Sequence, residues 1–224
     1  MTPVTFTTDD GVRIAGIVRE AGDKKRWALL LHMMPATKES YATLMEALAT
    51  RGVSSLAIDF RGHGESRQAT AGPLDYTTFS HEEHQAKIKD VEAAVAFLEK
   101  TYGIATADLV LVGASIGANL ALQYAAAHAD VPGAVLLSPG LNYRDIATMP
   151  LIQSLTRDRH VFLAGSTDDE ISGPAVEKLM ERSLAQTDVK QFTDAGHGTR
   201  MFETYPDFLE VVADWVAARL ERRG

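Results

Sequence analysis

A serine of this chain stands where it could act as a nucleophile. The G-x-S-x-G motif of residues 113–117, with Ser115 at its centre, follows the apolar run 109–112 and precedes the alanine-rich run 118–127. A serine on a sharp strand-to-helix turn stands clear of its neighbours, and the helix N-terminus favours the negative charge that develops on a substrate oxygen. The alternative is that Ser115 is an ordinary helix N-cap. The motif therefore predicts a nucleophile if a base and an acid follow it.

Three histidines follow Ser115 and could supply the base that takes its proton. His128 ends a predicted helix, where it would meet the helix dipole, and His160 opens a predicted strand, so each has a structural explanation. His197 lies between two glycines, after the last predicted strand and before the last predicted helix. We predict His197 as the base, with an ordinary surface-loop histidine as the alternative.

The third group of such a site is a carboxylate that orients the base. Three successive acids, Asp168, Asp169 and Glu170, follow the apolar end of a predicted strand. Asp168 lies three residues after Gly165 and three before Ile171, which suits the apex of a loop. Acids just before a helix often serve only as favourable charges near its N-terminus. We therefore predict Asp168 as the acid, with Asp169 as the second choice.

A negatively charged transition-state oxygen needs two N–H donors. The residue after the nucleophile, Ile116, should give the first. The second should come from the loop after the strand that ends near His32. We predict the N–H of Met34, with that of Met33 as the alternative.

The elements that must position these residues form an α/β pattern. Short apolar runs rich in Val, Leu and Ile alternate with segments of helical periodicity, which predicts βαβ units around a mainly parallel sheet of about eight strands in a three-layer α/β/α sandwich. The dipeptide Asp10-Gly11 predicts an antiparallel hairpin at the start. The predicted strands are Val4–Thr7, Val12–Val18, Trp27–His32, Ser54–Asp59, Leu109–Gly113, Ala134–Ser138, His160–Gly165 and Val189–Thr193. The predicted helices are Glu39–Arg51, His81–Thr101, Ser115–His128, Gly173–Ala185 and Thr204–Arg222.

This topology brings the predicted site together at one edge of the sheet. Right-handed crossovers place the carboxyl ends of parallel strands on the same side, where ligands of open α/β sheets bind. The interval from Ser138 to His160 is too short for a large lid. An apolar acyl pocket could be lined by adaptable side chains near these ends, with ordinary core packing as the alternative. The candidates for this pocket are Met33, Met149, Leu151 and Ile152.

Composition limits the classes of partner. The chain has 224 residues, 46% of them hydrophobic, which is enough for one well-filled domain over residues 1–224. Its net charge of −8 argues against nucleic acid as a partner. It has no cysteine, hence no disulfide framework or cysteine nucleophile, and no convincing metal constellation; we expect no cofactor. Met1–Asp10 lacks a secretory pattern and no apolar run approaches the ~20 residues that span a bilayer, so we expect a cytoplasmic protein that does not enter a membrane.

Together these motifs resemble those of the α/β-hydrolase family over nearly the whole chain, closest to small serine carboxylesterases or dienelactone-hydrolase-like members. The segment of residues 59–66, D-F-R-G-H-G-E-S, resembles a turn that the family places beside its active site, so the resemblance implies scaffold roles for Arg61 and His63. The other motifs that carry the resemblance are the strand ending in His32, the G-x-S-x-G around Ser115, Gly165-x-x-Asp168 and Gly196-His197.

The order Ser115, Asp168, His197 and this resemblance predict a serine hydrolase. We expect it to cleave a carboxylic ester of short or medium acyl chain, a small molecule, through an acyl-enzyme on Ser115. Two alternatives remain open: a ligand-binding protein of the same fold with little turnover, and a thioesterase or serine peptidase. The oligomeric state is not predicted.

Overall fold

The protein is described by a computed structural model over residues 1–22 and 25–221. Arg222, the last residue of the last predicted helix, lies outside the described residues. The strands are β1 (Thr2–Thr7), β2 (Val12–Arg19), β3 (Trp27–Leu31), β4 (Ser54–Ile58), β5 (Gln68–Ala69), β6 (Gly72–Pro73), β7 (Leu109–Ala114), β8 (Gly133–Leu137), β9 (Asn142–Tyr143), β10 (Ile146–Ala147), β11 (His160–Ser166) and β12 (Gln186–Phe192). The α-helices are α1 (Ala42–Thr50), α2 (His81–Gln85), α3 (Ile88–Tyr102), α4 (Ile116–Ala127), α5 (Thr148–Ser154), α6 (Ser172–Arg182), α7 (Arg200–Thr204) and α8 (Pro206–Leu220).

Ten of these strands form one mixed sheet in the order β12-β11-β8-β7-β3-β4-β2-β5-β6, with β1 paired to β2. The pairs from β12 to β4 are parallel, and those involving β1, β2, β5 and β6 are antiparallel. The mainly parallel sheet and the N-terminal hairpin are thus confirmed. The two strands beyond the predicted eight, β5 and β6, have two residues each and are too short to show a period of two.

Helices cover both faces of this sheet. Every residue of β3, β4, β7 and β8 is buried, as expected of central strands with helices on both sides. Helices α3, α4, α5 and α6 contribute to the core on one face, and α1, α7 and α8 to the core on the other. The predicted three-layer sandwich is therefore the observed one.

Two predicted helices differ from those of the structure. The predicted helix His81–Thr101 is split into α2 and α3 at Ala86 and Lys87. The predicted last helix corresponds to α8, and the short helix α7 before it was not predicted. Pro206 starts α8 because its ring suits the first position of a helix. Helical periodicity continues across the short break between α2 and α3, so the pattern alone did not separate them.

The stretch between β8 and β11 carries only a two-stranded hairpin, β9–β10, and the short helix α5. This segment carries no large lid, as predicted, and its hairpin and helix pack against α4. The turn of the hairpin contains Arg144 and Asp145, both with positive φ. Within the part of the chain that the structure describes, no helix has the length and hydropathy needed to cross a bilayer.

Candidate active site

Ser115 occupies a strained turn between β7 and α4. Its backbone angles are φ 54° and ψ −122°, a region that a residue other than glycine enters only when its surroundings enforce it. Ser115 stands at the N-cap position, but its side chain accepts no capping hydrogen bond. The hydroxyl therefore makes no hydrogen bond to the start of α4 and is free to react. This argues against the N-cap alternative.

The two glycines of the motif make this turn possible. A Cβ on Gly113 would lie 2.1 Å from the carbonyl oxygen of Gly117, and one on Gly117 would lie 2.2 Å from the carbonyl oxygen of Leu31. Both contacts are with backbone and cannot relax easily. The G-x-S-x-G pattern is thus a steric requirement of the path that the chain takes around Ser115.

His197 lies in the loop after β12 and is paired with Asp169. Its Nδ1 is 2.5 Å from Asp169 Oδ2, and about a third of the imidazole side chain is exposed. Asp169 is held in turn by the N–H and hydroxyl of Ser172. Burial raises the pKa of Asp169, but the hydrogen bonds from Ser172 and His197 outweigh it and leave the pKa below its ordinary value. An ionised Asp169 fixes the ring orientation and leaves Nε2 as the nitrogen that can exchange a proton.

This pairing corrects the prediction that Asp168 holds the histidine. The carboxylate of Asp168 accepts from the Ser166 hydroxyl and from the N–H groups of Ala195 and Gly196. Asp168 therefore anchors the backbone of the histidine loop, whereas Asp169 reaches the imidazole. Ser172, three residues after Asp169, is the signal that could have identified it. The N–H and the hydroxyl of Ser172 donate to the Asp169 carboxylate at the start of α6 and so fix its orientation.

The histidine loop packs directly against the nucleophile turn. Gly198 has φ +61°, and a Cβ there would lie 2.6 Å from Met33 Sδ and 3.3 Å from the Cβ of Ala114. Ala114 immediately precedes Ser115, and the Gly198 N–H donates to the Ser138 hydroxyl at 2.8 Å. The residue after His197 thus touches the residue before Ser115. No hydrogen bond joins the Ser115 hydroxyl to His197 within the described residues.

Tyr143 is a site residue that sequence reasoning did not single out. Its hydroxyl is buried and has no partner of ordinary hydrogen-bond geometry among the described residues, while its ring meets that of His197 edge-on at 6.5 Å between centroids. Burial raises the pKa of Tyr143 to about 12, the charge of Asp169 adds to this, and the nearby Ser115 side chain acts in the opposite direction. A Cβ on Gly140 would strike the tyrosine ring at 2.6 Å. The spacing of Gly140 and Tyr143 is the signal that could have indicated a packed ring.

The loop of Met33 and Met34 lies beside the nucleophile turn and is held by a buried histidine. His32 Nε2 accepts from the N–H of Phe60 at 3.0 Å, so Nδ1 carries the proton and donates to the carbonyl oxygen of Met33 at 2.8 Å. Burial lowers the pKa of His32 to about 4, which keeps the ring neutral. Within the described residues, the N–H groups of Ile116, Met33 and Met34 donate to no protein acceptor. Both predicted oxyanion donors are therefore available, and Met33 remains the alternative to Met34.

The segment of residues 59–66 braces this edge of the sheet. Asp59 accepts from the N–H and the ammonium group of Lys38, both at 2.8 Å. Arg61 donates from its backbone and from its guanidinium to buried Asp90. The His63 ring stacks on Tyr76 at 3.8 Å between centroids. These contacts are those of a scaffold, as the resemblance implied for Arg61 and His63.

The predicted acyl-pocket residues are not gathered in one place. Met33 packs against Gly198 at the site. Met149 borders a different cavity between α5 and α6, and Leu151 is half-buried against the core. Ile152 has no exposed surface, which corrects its assignment to the pocket: its side chain fills the core beneath α5. Its apolar neighbours in the sequence concealed that α5 turns this position inward.

Comparison with known proteins agrees with the fold. The family model described as "Serine aminopeptidase, S33" matches residues 22–159. The AB hydrolase superfamily protein YisY of Bacillus subtilis is 30% identical over 112 residues, which are 49% of this chain and 36% of that protein. The chain thus spans about a third of the length of this curated relative.

Solved structures share the whole architecture. The esterase Pf2001 of Pyrococcus furiosus superposes with a TM-score of 0.78 at 20% identity, covering 98% of this chain and 93% of that one. The esterase EaEST of Exiguobacterium antarcticum gives a TM-score of 0.72 at 13% identity, covering 96% and 99%. At these identities the likeness establishes the fold. The family model, which matches more than half of the chain, establishes the relationship: the chain belongs to the serine aminopeptidase, S33 family of α/β hydrolases.

Proposed function

We propose that this protein is a serine hydrolase that cleaves carboxylic esters of small molecules, with Ser115 as nucleophile, His197 as base and Asp169 as the carboxylate that orients it. The observation that carries the proposal is the meeting of a strained, uncapped Ser115 with the loop that holds the Asp169–His197 pair. The esterase titles of Pf2001 and EaEST support the ester as the bond cleaved. We further propose that residues 1–224 act as one catalytic domain.

In the first half of the reaction, Ser115 Oγ bonds to the acyl carbon and its proton passes to His197 Nε2. The N–H groups of Ile116 and Met34 stabilise the resulting oxyanion. The bond to the alcohol oxygen then breaks, and the proton on His197 passes to that oxygen. The alcohol leaves, and an acyl-enzyme on Ser115 remains.

In the second half, water attacks the acyl carbon and gives its proton to His197. The same two N–H groups hold the second oxyanion. The bond between Ser115 and the acyl group breaks, the proton returns to Ser115, and the acid is released. Asp169 remains ionised throughout and stabilises the imidazolium that forms in each half.

A series of p-nitrophenyl esters from acetate to decanoate tests this proposal. We expect sustained multiple turnovers with an optimum at short or medium chains, because no large lid covers the site. The Ser115→Ala variant should lose at least about a thousandfold in kcat, since the nucleophile carries the covalent step. Ser154→Ala, an exposed serine that bonds only to its own helix, is the matched control and should keep full activity. Negligible turnover of the whole series by the wild type would instead favour the ligand-binding alternative.

A second candidate activity is the cleavage of peptide bonds, which the description of the matched family favours. The same nucleophile, base and oxyanion donors would serve an amide. Aminoacyl p-nitroanilides distinguish the two activities. We expect kcat/KM for these amides to lie well below that for the esters, and the reverse order would assign the protein as a peptidase.

A further inference from the structure

A cavity of about 260 Å³ lies beside the proposed oxyanion loop and has a basic wall. Met34 and Pro35 form one side of it, and Arg144, from the turn that follows Tyr143, forms another. We call it the Arg144 cavity. Its remaining wall comes from Tyr76, Phe79, His84 and the neighbouring Thr77. Through Met34 and the Tyr143–Arg144 turn, the cavity adjoins the surroundings of Ser115.

The cationic groups at this cavity form no ion pair with an acid within the described residues. Arg144 makes no hydrogen bond or ion pair within the described residues, and its side chain is exposed. Behind it the fully buried Lys87 places its Nζ 2.7 Å from His84 Nδ1 and 3.4 Å from Met34 Sδ, without an ion pair to any described carboxylate. Lys87 thus contacts a ring nitrogen and a sulfur rather than a carboxylate.

The charge of Arg144 contributes to the pKa shifts of two buried groups. Burial lowers the pKa of Lys87 to about 7, and Arg144 lowers it further against the opposing charge of Asp90. Burial likewise lowers the pKa of His84 to about 4, with Lys87 and Arg144 adding to the shift. The charge of Arg144 therefore disfavours the protonated form of both groups.

The acids nearest to this wall already have other partners. Asp145 lies 2.6 Å from His81 Nδ1, and Asp90 is paired with Arg61. Glu83 accepts from the N–H of Ser80 at the start of α2. The Arg144 cavity is consequently a local positive site on a chain whose net charge is −8.

We propose that the Arg144 cavity binds a carboxylate of the substrate, so that the preferred esters carry a negative charge a few bonds from the carbonyl that is attacked. This inference rests on the proposed esterase function. The planar guanidinium of Arg144 matches a carboxylate in two parallel hydrogen bonds. The volume admits a carboxylate with a short linker, and aromatic rings and a methionine provide apolar contact for that linker.

A matched pair of substrates tests the inference. Mono-p-nitrophenyl glutarate carries the charge, and p-nitrophenyl 5-methylhexanoate replaces its carboxylate with an isopropyl group of similar shape. We expect Arg144→Gln to lower kcat/KM for the glutarate about five- to tenfold relative to the neutral ester. Arg144→Lys should keep part of the preference, and added salt should weaken the preference of the wild type.

Arg157→Gln is the matched control, because it removes the same charge from an exposed loop at the opposite end of β11. An equal change in the substrate ratio for Arg144→Gln and Arg157→Gln would overturn the inference, and so would an unchanged ratio both for this pair and for the alcohol-side pair described next. In either case, if the wild type hydrolyses the esters, only the inference fails. If the wild type hydrolyses neither ester nor any of the p-nitrophenyl series, the proposed function fails as well.

A second pair places the charge on the alcohol side: 4-acetoxybenzoate against 4-isopropylphenyl acetate. A selective loss for this pair in Arg144→Gln would support the inference and assign the cavity to the leaving group. A selective loss for the glutarate pair would assign the cavity to the acyl group. A loss in neither pair contradicts the inference.

Discussion

Adjacent carboxylates after β11 differ in what they touch. Asp168 holds two backbone N–H groups of the histidine loop, and Asp169 holds the imidazole of His197. A carboxylate bonded to N–H groups of a loop shapes the loop, whereas one bonded to Nδ1 fixes the tautomer and favours the charged ring. Neighbouring residues of identical chemistry therefore have separable functions.

Replacement of each acid by its amide should separate these functions. We expect Asp169→Asn to lower kcat for an activated ester by about a thousandfold or more, because an amide can present the wrong group to Nδ1 and does not stabilise the imidazolium. Asp168→Asn should cost less than about tenfold in kcat, since the amide oxygen can still accept from a loop N–H. Steady-state rates at saturating substrate give the comparison. A larger loss for Asp168→Asn than for Asp169→Asn would contradict the assignment.

For single residues, the sequence predicted where a functional residue lies along the chain better than which side chain it contacts. The strand-to-helix turn at Ser115 and the loop position of His197 followed from the order of motifs and elements. The choice between Asp168 and Asp169 depends on which of the two carboxylates points toward His197. The hydrogen bonds from Ser172 fix the direction of the Asp169 carboxylate, and the sequence does not show them. Tyr143 could not be predicted from chemistry, because its place at the site depends on the hairpin β9–β10.

Among the elements, the loop after β12 is positioned by close packing at one glycine. Gly198 lies between Met33 of the β3 loop and Ala114 of the nucleophile turn, so three loops meet where a side chain would not fit. Its positive φ adds a conformational requirement. The relative positions of nucleophile, base and oxyanion donors thus depend on this contact.

Gly198→Ala should impair activity more than stability. We expect kcat/KM to fall at least about tenfold as the added Cβ displaces the histidine loop, while the free energy of unfolding falls by about 1 to 2 kcal/mol from strain at positive φ. Gly103→Ala is the control: φ is +68° there, and a Cβ would meet nothing within 4 Å. Urea unfolding and ester hydrolysis of both variants supply the data. Similar activity losses in the two variants would show that backbone strain alone is responsible.

The positions of strands were predictable where burial gives a clear apolar pattern in the sequence. The central strands β3, β4, β7 and β8 are apolar runs and were predicted as strands. The edge strand β12 begins at Gln186, three residues before the predicted start, because its exposed polar residues leave no apolar run to detect. The two-residue strands β9 and β10 depend on a turn with positive φ at Arg144 and Asp145. Asp145 is a residue type that favours such a turn, but Arg144 is not, so the pair gave a weak signal.

For the molecule as a whole, buried neutral histidines make stability depend on pH. Burial lowers the pKa of His32 to about 4 and that of His63 to about 3. Between these values and the ordinary pKa near 6.5, the unfolded chain binds protons that the folded chain excludes, so stability falls as the pH falls through this range. Asp90 acts in the opposite direction, because burial raises its pKa to about 6 and the folded state gains a proton there.

We therefore expect the free energy of unfolding to decrease from pH 7 to pH 5 by about 3 to 5 kcal/mol. His32, His63 and His84, whose pKa burial also lowers to about 4, contribute up to about 2 kcal/mol each, and Asp90 offsets about 1 kcal/mol. Urea denaturation at pH 5, 6 and 7 measures this. His63→Gln should reduce the slope of the free energy of unfolding against pH. A free energy of unfolding that is constant over this range would disprove the expectation.

The edges of the ten-stranded sheet carry one more consequence. The outermost strands of the described sheet are β1, which pairs only with β2 and contains Pro3, then β6, which contains Pro73, and β12, where Asp188 and Lys190 are exposed. A proline and opposite charges along an outer strand both discourage another chain from adding to it. A protein with so many buried apolar strands would otherwise be a template for aggregation. Its outer strands instead resist pairing with another molecule. We therefore expect concentrated solutions to remain free of intermolecular β-structure.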